Sequence, residues 1–306
     1  MFTVSELAAD ALGPFLAEDF RRVFGNSEAP LAEAIETAAR LAMECIGITD
    51  APYHNVEHTM MVTLCARDIL RGRYLLKRTT AADWFQVLMA CLYHDIGFVR
   101  GILTDDRPPH YVATMTGDKV ELPKGASDAW LNPYHVDRSK LFVLERLGGS
   151  AALVDAERIA AAIECTRFPS ALDHPVTEEG ALVRAADLIG QLGDPSYLRK
   201  AFALFCEFRE IGVDKALGYT SAADVVERYP DFFGKTISPH LGLAIRYLSV
   251  TDNGRGWIAR LDSNVFAAER GRTTLGAGSI ETVRNDRGEN SEPNELRASI
   301  ATVDPS

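Results

Sequence analysis

Apolar residues recur every three or four positions along most of the chain, which is the period of helices that bury one face. The pattern is clearest over residues 5–24 and 31–46. It continues over six further stretches: 137–147, 153–166, 177–192, 196–211, 221–229 and 239–250. Asn55 and Thr80 precede two more such stretches as N-cap residues. Strict apolar–polar alternation, which indicates strands, is missing. The sequence therefore predicts an all-α fold, a compact multi-helix bundle.

Two stretches interrupt the helical pattern and set the expected organisation. Residues 97–134 are rich in glycine and proline, and a connection of that length is typical of a lid or a wall of a site. After Phe266 the chain has no aromatic residue and is polar, which predicts a disordered tail over residues 268–306. We therefore expect N-terminal helices in residues 1–50, packed on a catalytic helical domain of residues 51–267.

Composition narrows the class of protein. The 306 residues are 47% hydrophobic and 25% charged, as in ordinary globular proteins. A net charge of −11 argues against binding to nucleic acid or to an anionic membrane. The longest apolar run, Val87 to Tyr93, is far shorter than the ~18 residues of a membrane span, and the acidic N-terminus does not resemble a signal peptide. The five cysteines form no CxxC motif, so we expect free thiols and a cytoplasmic protein.

Imidazoles and carboxylates stand in unusually apolar surroundings at three separate places. His54 and His58 are four residues apart, a spacing that puts both on one face of a helix. His94 and Asp95 adjoin at the end of a very apolar helix, and Asp187 lies within another. Such groups are costly to bury unless they are paired or bind a metal. Each alone fits a structural role, such as a carboxylate that caps a neighbouring helix. All three together favour a metal site.

The mixture of ligand types limits the metal. Neutral imidazole suits borderline metals, whereas carboxylate suits harder ones. We therefore expect one or two divalent ions, chosen from Mn²⁺, Fe²⁺, Zn²⁺ and Mg²⁺, rather than a thiolate zinc site.

The order H…HD…D resembles the HD superfamily of metal-dependent phosphohydrolases. The segment PYHNVEHTMMV is similar to the YHNxxHAxDV element of class I cyclic-nucleotide phosphodiesterases, which belong to that superfamily. The resemblance covers roughly residues 50–190. It implies an HD-type helical bundle in which His54 is the general acid. It also implies four ligands of a first metal, of which Asp95 has a catalytic, bridging role: His58, His94, Asp95 and Asp187.

The chain departs from those phosphodiesterases after the HD pair. It reads HDIGFVRG where they continue HDxxHxGxxN, and Phe98 stands where many bacterial HD proteins have lysine. A second metal would therefore need other ligands, and His135 and His110 are the candidates between the HD pair and Asp187. Gln191 follows Asp187 by one helical turn and is a candidate for the same pocket.

These residues predict a metal-dependent phosphohydrolase. A metal-activated hydroxide would attack a nucleotide phosphoester, with a cyclic nucleotide as the expected substrate, and His54 would protonate the leaving oxygen. His54 then needs a nearby carboxylate, and Glu57 is close in sequence. The candidate phosphate contacts, none favoured over the others, are Arg100, Arg107, Arg138 and Arg167. An HD-fold di-iron oxygenase and a non-catalytic nucleotide-binding sensor remain alternatives. The expected partner is a small phosphoester or nucleotide, and a homodimer is left open.

Overall fold

The computed structural model describes residues 3–150, 154–168 and 176–276. Within these residues the all-α prediction is confirmed, since twelve α-helices and one short two-stranded hairpin make up the regular structure. The helices are α1 (Val4–Phe24), α2 (Ala29–Ile46), α3 (Val56–Leu76), α4 (Ala81–Tyr93), α5 (His135–Leu147), α6 (Ala156–Glu164), α7 (Glu178–Leu192), α8 (Tyr197–Glu210), α9 (Val213–Ala216), α10 (Ala222–Phe232), α11 (Gly242–Leu248) and α12 (Asp252–Gly276).

The N-terminal helices α1 and α2 pair with each other and join the main core. Thr3 and Glu6 form a capping box that satisfies the free backbone amides at the start of α1. The apolar faces of both helices are buried, Leu16 and Ile35 among them, and they belong to one hydrophobic cluster with α3 and α4. The segment 1–50 is therefore part of the same packed unit as the rest of the bundle.

Helices α3, α4 and α7 form the centre of the molecule. Ten of the thirteen residues of α4 are buried, which explains why its sequence is almost continuously apolar. Helix α7 lies close against α3, because a Cβ atom on Gly190 would stand 2.8 Å from the backbone nitrogen of Val62. Only glycine permits that approach, and it brings the residues one turn earlier, Asp187 and His58, towards each other.

The long connection of residues 97–134 is more ordered than a simple loop. It contains the antiparallel strands β1 (His110–Val112) and β2 (Lys119–Glu121) and a 3₁₀ segment from Asp128 to Tyr134. The guanidinium of Arg138, fully buried, donates to the carboxylate of Asp106 and to backbone carbonyls of this segment. Arg138 thus ties the connection to α5.

The C-terminal part of the prediction needs a correction. The tail was expected to begin at residue 268, but α12 continues to Gly276, and Ala268 is buried in the core with Trp257 and Leu261. The remainder of the predicted tail, residues 277–306, lies outside the described residues. None of the helices in the described part is both long and apolar enough to cross a bilayer. All five cysteines are free thiols.

Candidate metal centre

Two imidazoles and two carboxylates converge in the centre of the bundle. His58 Nε2 lies 3.2 Å from Asp95 Oδ2 and 3.4 Å from Asp187 Oδ1. His94 Nε2 lies 3.1 Å and 3.6 Å from the same two oxygens, and 3.4 Å from His58 Nε2. His58, His94 and Asp95 are buried, and the side chain of Asp187 is 20% exposed towards a cavity. The structure therefore brings together all four residues that the resemblance implies as ligands.

Each of these side chains is placed by the end or the close packing of a helix. Asn55 caps α3, and its side-chain oxygen accepts from the backbone amides of Glu57 and His58. His94 directly follows α4, and Asp95 begins the 3₁₀ turn that succeeds it. Asp187 lies one turn before Gly190, where α7 touches α3. Three segments that are distant in sequence thus place these polar side chains next to one another.

The donor set fits a divalent cation. His94 Nδ1 donates to the carbonyl of Cys91 at 2.8 Å, which orients the ring and leaves Nε2 to face the carboxylates. Asp95 Oδ2 is fully buried, and it faces Nε2 of His58 and of His94 at 3.2 and 3.1 Å without a hydrogen bond of normal geometry. Burial would raise the pKa of Asp95 and Asp187, but the facing imidazoles hold the pKa of both carboxyls below the usual range. Two carboxylates, one buried and one partly exposed to the cavity, therefore face imidazole nitrogens, and a cation between them satisfies both.

The two candidate ligands for a second metal lie in different places. His135 opens α5, and its Nε2 is 3.7 Å from Asp95 Oδ1. Its Nδ1 bonds to the carbonyl of Asn132 at 2.5 Å, and burial lowers its pKa, so Nε2 keeps a lone pair towards the cluster. His110 is not brought to the cluster. It lies on β1, more than half exposed, and faces Glu121 across the hairpin.

His54 stands beside the cluster and is held by a carboxylate. Its Nδ1 lies 2.5 Å from Oε2 of Glu207, whose side chain is completely buried on α8. Glu207 Oε1 also accepts from the backbone amides of Tyr53 and His54, at 2.6 and 3.1 Å. The ring of Phe98 stacks on His54 at 4.4 Å and on His135 at 4.6 Å, so it fixes both imidazoles.

These contacts set the charge of His54. Burial alone would lower its pKa, but the Glu207 carboxylate outweighs burial and raises the pKa to about 9. The imidazole is therefore a cation at neutral pH. Glu57, the carboxylate that is close to His54 in sequence, does not take this role, because it is exposed and pairs with Lys200 at 2.7 Å.

Glu207 was missed because its contact with His54 joins residues 153 positions apart. The available signal was a carboxylate between apolar neighbours in the stretch FALFCEFRE, the same signal that singled out Asp187.

A cavity of about 340 Å³ opens from the cluster into the space between α7, α8 and α10. Asp95, Asp187, His54 and His135 form one end of it. Gln191 also lines the cavity, where its amide bonds to the hydroxyl of Tyr197.

None of the four candidate arginines lines the cavity. Arg138 is bound to Asp106, and Arg100 pairs with Asp50 and Asp128. Arg167 pairs with Asp137 and Glu164, and Arg107 donates to backbone carbonyls. These side chains hold the fold together and do not face the cluster.

The fold and the cluster define an all-α protein with a buried histidine–aspartate group that could hold a metal. The chain belongs to the Npun_R2479-like family, whose model matches residues 2–271. No curated protein and no solved structure matches it.

Proposed function

We propose that this protein is a metal-dependent phosphoester hydrolase. The observation that carries the proposal is the His54–Glu207 pair, a carboxylate-held imidazole whose ring lies within 4.8 Å of the ligand atoms of His58 and Asp95. A cationic proton donor beside a metal cluster is what cleavage of a phosphoester requires, because the leaving alkoxide must be protonated.

Each residue has a distinct task in this proposal. The residues that would hold the metal are His58, His94, Asp95 and Asp187. A bound divalent cation supplies charge neutralisation for a phosphoryl group and a water of lowered pKa. His54 donates its proton to the leaving oxygen, and Glu207 keeps that proton on the ring before the reaction. His135, facing Asp95, is the candidate ligand for a second ion.

The test begins with protein loaded with Mn²⁺. Bis-p-nitrophenyl phosphate, p-nitrophenyl phosphate, cyclic AMP and cyclic GMP are assayed side by side. We expect turnover of at least one phosphoester, and a loss of all turnover after chelation of the metal. A protein that binds metal and cleaves none of the four would count heavily against the proposal. Oxygen uptake by the iron-loaded protein would favour an oxygenase instead.

His54→Ala separates the proton donor from the metal. For a substrate with an alkoxide leaving group, such as cyclic AMP, we expect kcat to fall by ~10²–10⁴, the usual contribution of a general acid, while metal content stays unchanged. Cleavage of the p-nitrophenyl esters should fall less, because p-nitrophenolate leaves without a proton. His110→Ala is the matched control, because His110 is exposed on the hairpin and should leave both quantities as they are. Equal rates for the two variants would remove His54 from the mechanism.

A further inference from the structure

The lining of the cavity changes from polar to mainly apolar along its length. Its inner end carries His54, Asp95, His135 and Asp187, but most of the remaining wall is hydrocarbon. Thirteen aliphatic and aromatic side chains line it: Phe168, Leu188, Leu192, Tyr197, Leu204, Phe208, Ile211, Val213, Leu217, Tyr219, Val225, Tyr229 and Phe232. Outside the metal end these side chains outnumber the polar ones about two to one, the polar ones being Asn132, Thr166, Gln191, Lys235, Thr236 and His240.

The apolar wall is part of the packed structure. Helix α8 contributes Leu204, and α10 contributes Val225 and Tyr229, all three of which are at most 6% exposed. A π-helical turn from Phe233 to Ile237 follows α10, and such turns recur at functional sites. An apolar space of this volume is of the size that binds small molecules, and it is best filled by apolar groups.

The charged residues of the cavity wall also argue against a highly charged substrate. Beyond the metal end, Lys235 is the one lysine or arginine among the described residues that line the cavity. Three of the four arginines considered above form ion pairs elsewhere, and Arg107 donates to backbone carbonyls. A substrate with several phosphates would leave most of its charge without a partner here.

From these observations we infer that the substrate is amphiphilic, a phosphoester whose leaving alcohol carries a large apolar body. The phosphoryl group would sit at the end formed by His54, Asp95, His135 and Asp187, and the hydrocarbon body would fill the space between α7, α8 and α10. The phosphoryl half of this inference rests on the proposed function, whereas the apolar half rests on the cavity wall alone.

The test measures binding as a function of chain length in the metal-loaded protein. Two series are titrated by isothermal calorimetry: n-alkylphosphonates from butyl to octyl, which are not hydrolysed, and 1-alkanols of the same lengths, which have no phosphoryl group. Each buried methylene should tighten binding about fourfold in both series, until the chain fills the cavity.

The two series distinguish failure of this inference from failure of the proposed function. Rising affinity in the alkanols alone would support the apolar body and contradict the phosphoryl head, and with it the proposed hydrolase. Affinity independent of chain length in both series, or no binding at all, would overturn the apolar body. In that case, turnover of p-nitrophenyl phosphate would leave the hydrolase proposal intact.

Two variants on the same helix locate the binding site. Phe208→Ala removes a ring from the cavity wall and should weaken binding of the octyl compounds about tenfold. Phe202→Ala removes a ring that is 67% exposed on α8 and should change nothing. Equal affinities for both variants would place the binding site elsewhere, and thermal unfolding of each checks that the fold is kept.

Discussion

Helix α3 carries two buried groups of charged side chains, and they are built differently. One is the candidate metal centre around His58, near the start of the helix. The other lies two to three turns further on, where Arg67 and Asp68 meet Asp19 of α1 and Trp257 of α12. Both lie in the low-dielectric interior, where an unpaired charge is expensive.

The second group, which we call the Arg67 network (Asp19, Arg67, Asp68 and Trp257), is complete within the chain. Arg67 donates to both oxygens of Asp19, at 2.9 and 2.8 Å, and to Asp68 at 2.5 Å. The other oxygen of Asp68 accepts from the indole of Trp257 at 2.9 Å. Each carboxylate oxygen of Asp19 and Asp68 accepts a hydrogen bond from Arg67 or Trp257. The network therefore links α1, α3 and α12 and needs no bound ion to satisfy its charges.

The metal centre lacks that completeness. Asp95 Oδ2 faces two imidazole nitrogens without a hydrogen bond of normal geometry, and those nitrogens, of His58 and His94, face each other at 3.4 Å. The difference shows how buried charge can be interpreted. A satisfied network indicates structure, whereas an unsatisfied convergence of metal-ligand types indicates a place for an ion.

Asp95→Ala is the strongest test of whether the candidate metal centre, unlike the Arg67 network, binds an ion. We expect the variant to lose bound metal and all phosphoester turnover together, because Asp95 faces both imidazoles of the cluster. Metal content by mass spectrometry and the p-nitrophenyl assays measure the two losses. A variant that keeps stoichiometric metal would show that the ion binds at another site.

The Arg67 network should respond in the opposite manner. Arg67→Met leaves Asp68 without its cation and leaves Asp19 paired with Arg71 alone. It should lower the free energy of unfolding by about 3 kcal/mol, with metal content unchanged below the transition. Urea unfolding measures the effect. Arg22→Met, which removes the exposed pair with Glu18, is the control, with an expected loss below about 0.5 kcal/mol. Loss of metal from Arg67→Met in the folded protein would end the distinction between the two groups.

Much of this arrangement could be predicted from the sequence, because it follows from local patterns. Apolar spacing predicted the helices that bury one face, and α4 stood out by its nearly continuous apolar run. The sequence did not predict helix α12, although its buried positions recur every three or four residues, because two of them, Gly254 and Asn264, are not apolar side chains. Its stability comes from packing against the bundle, which propensity does not report.

In the candidate site, too, the sequence predicts some residues and misses others. The residues brought together at the cluster carry their own local signal, a polar group in an apolar stretch. Glu207 carries that signal too, but nothing local connects it to His54, which is 153 positions away. The cavity wall is a property of how α7, α8 and α10 face one another, and no single segment predicts it.

Addition of metal gives a smaller, reversible test of the same comparison. A cation that binds only the folded protein should raise its free energy of unfolding by about 2.7 kcal/mol at a concentration one hundred times Kd. Unfolding with Mn²⁺ and with chelator measures the difference. It should persist in Arg67→Met and vanish in Asp95→Ala, whereas an equal gain in both variants would indicate non-specific binding.

Glu207→Gln is expected to have the smallest effect, and it tests the proton donor without touching the cluster. The substitution keeps a carbonyl oxygen for the amides of Tyr53 and His54 but removes the charge that raises the pKa of His54 to about 9. His54 acts in its protonated form, so activity should be lost as pH rises through the pKa of that group. Without that charge, burial is opposed only by Asp95 and Asp187, so the pKa should fall. A fall to the ordinary imidazole value of about 6.5 would move the basic limb of the kcat profile downwards and reduce activity at pH 8 about thirtyfold.

The control for this variant is Glu210→Gln on the same helix, whose carboxylate bonds to Ser127 away from the cluster. Its pH profile should match that of the unaltered protein. Below about pH 6 the Glu207→Gln variant should regain most of its activity, because His54 is then protonated without help from the carboxylate. A uniform loss at every pH would instead assign Glu207 a purely structural role. The carboxylate would then belong with the Arg67 network, as a buried charge that holds elements together, and His54 would lose the feature that makes it a proton donor.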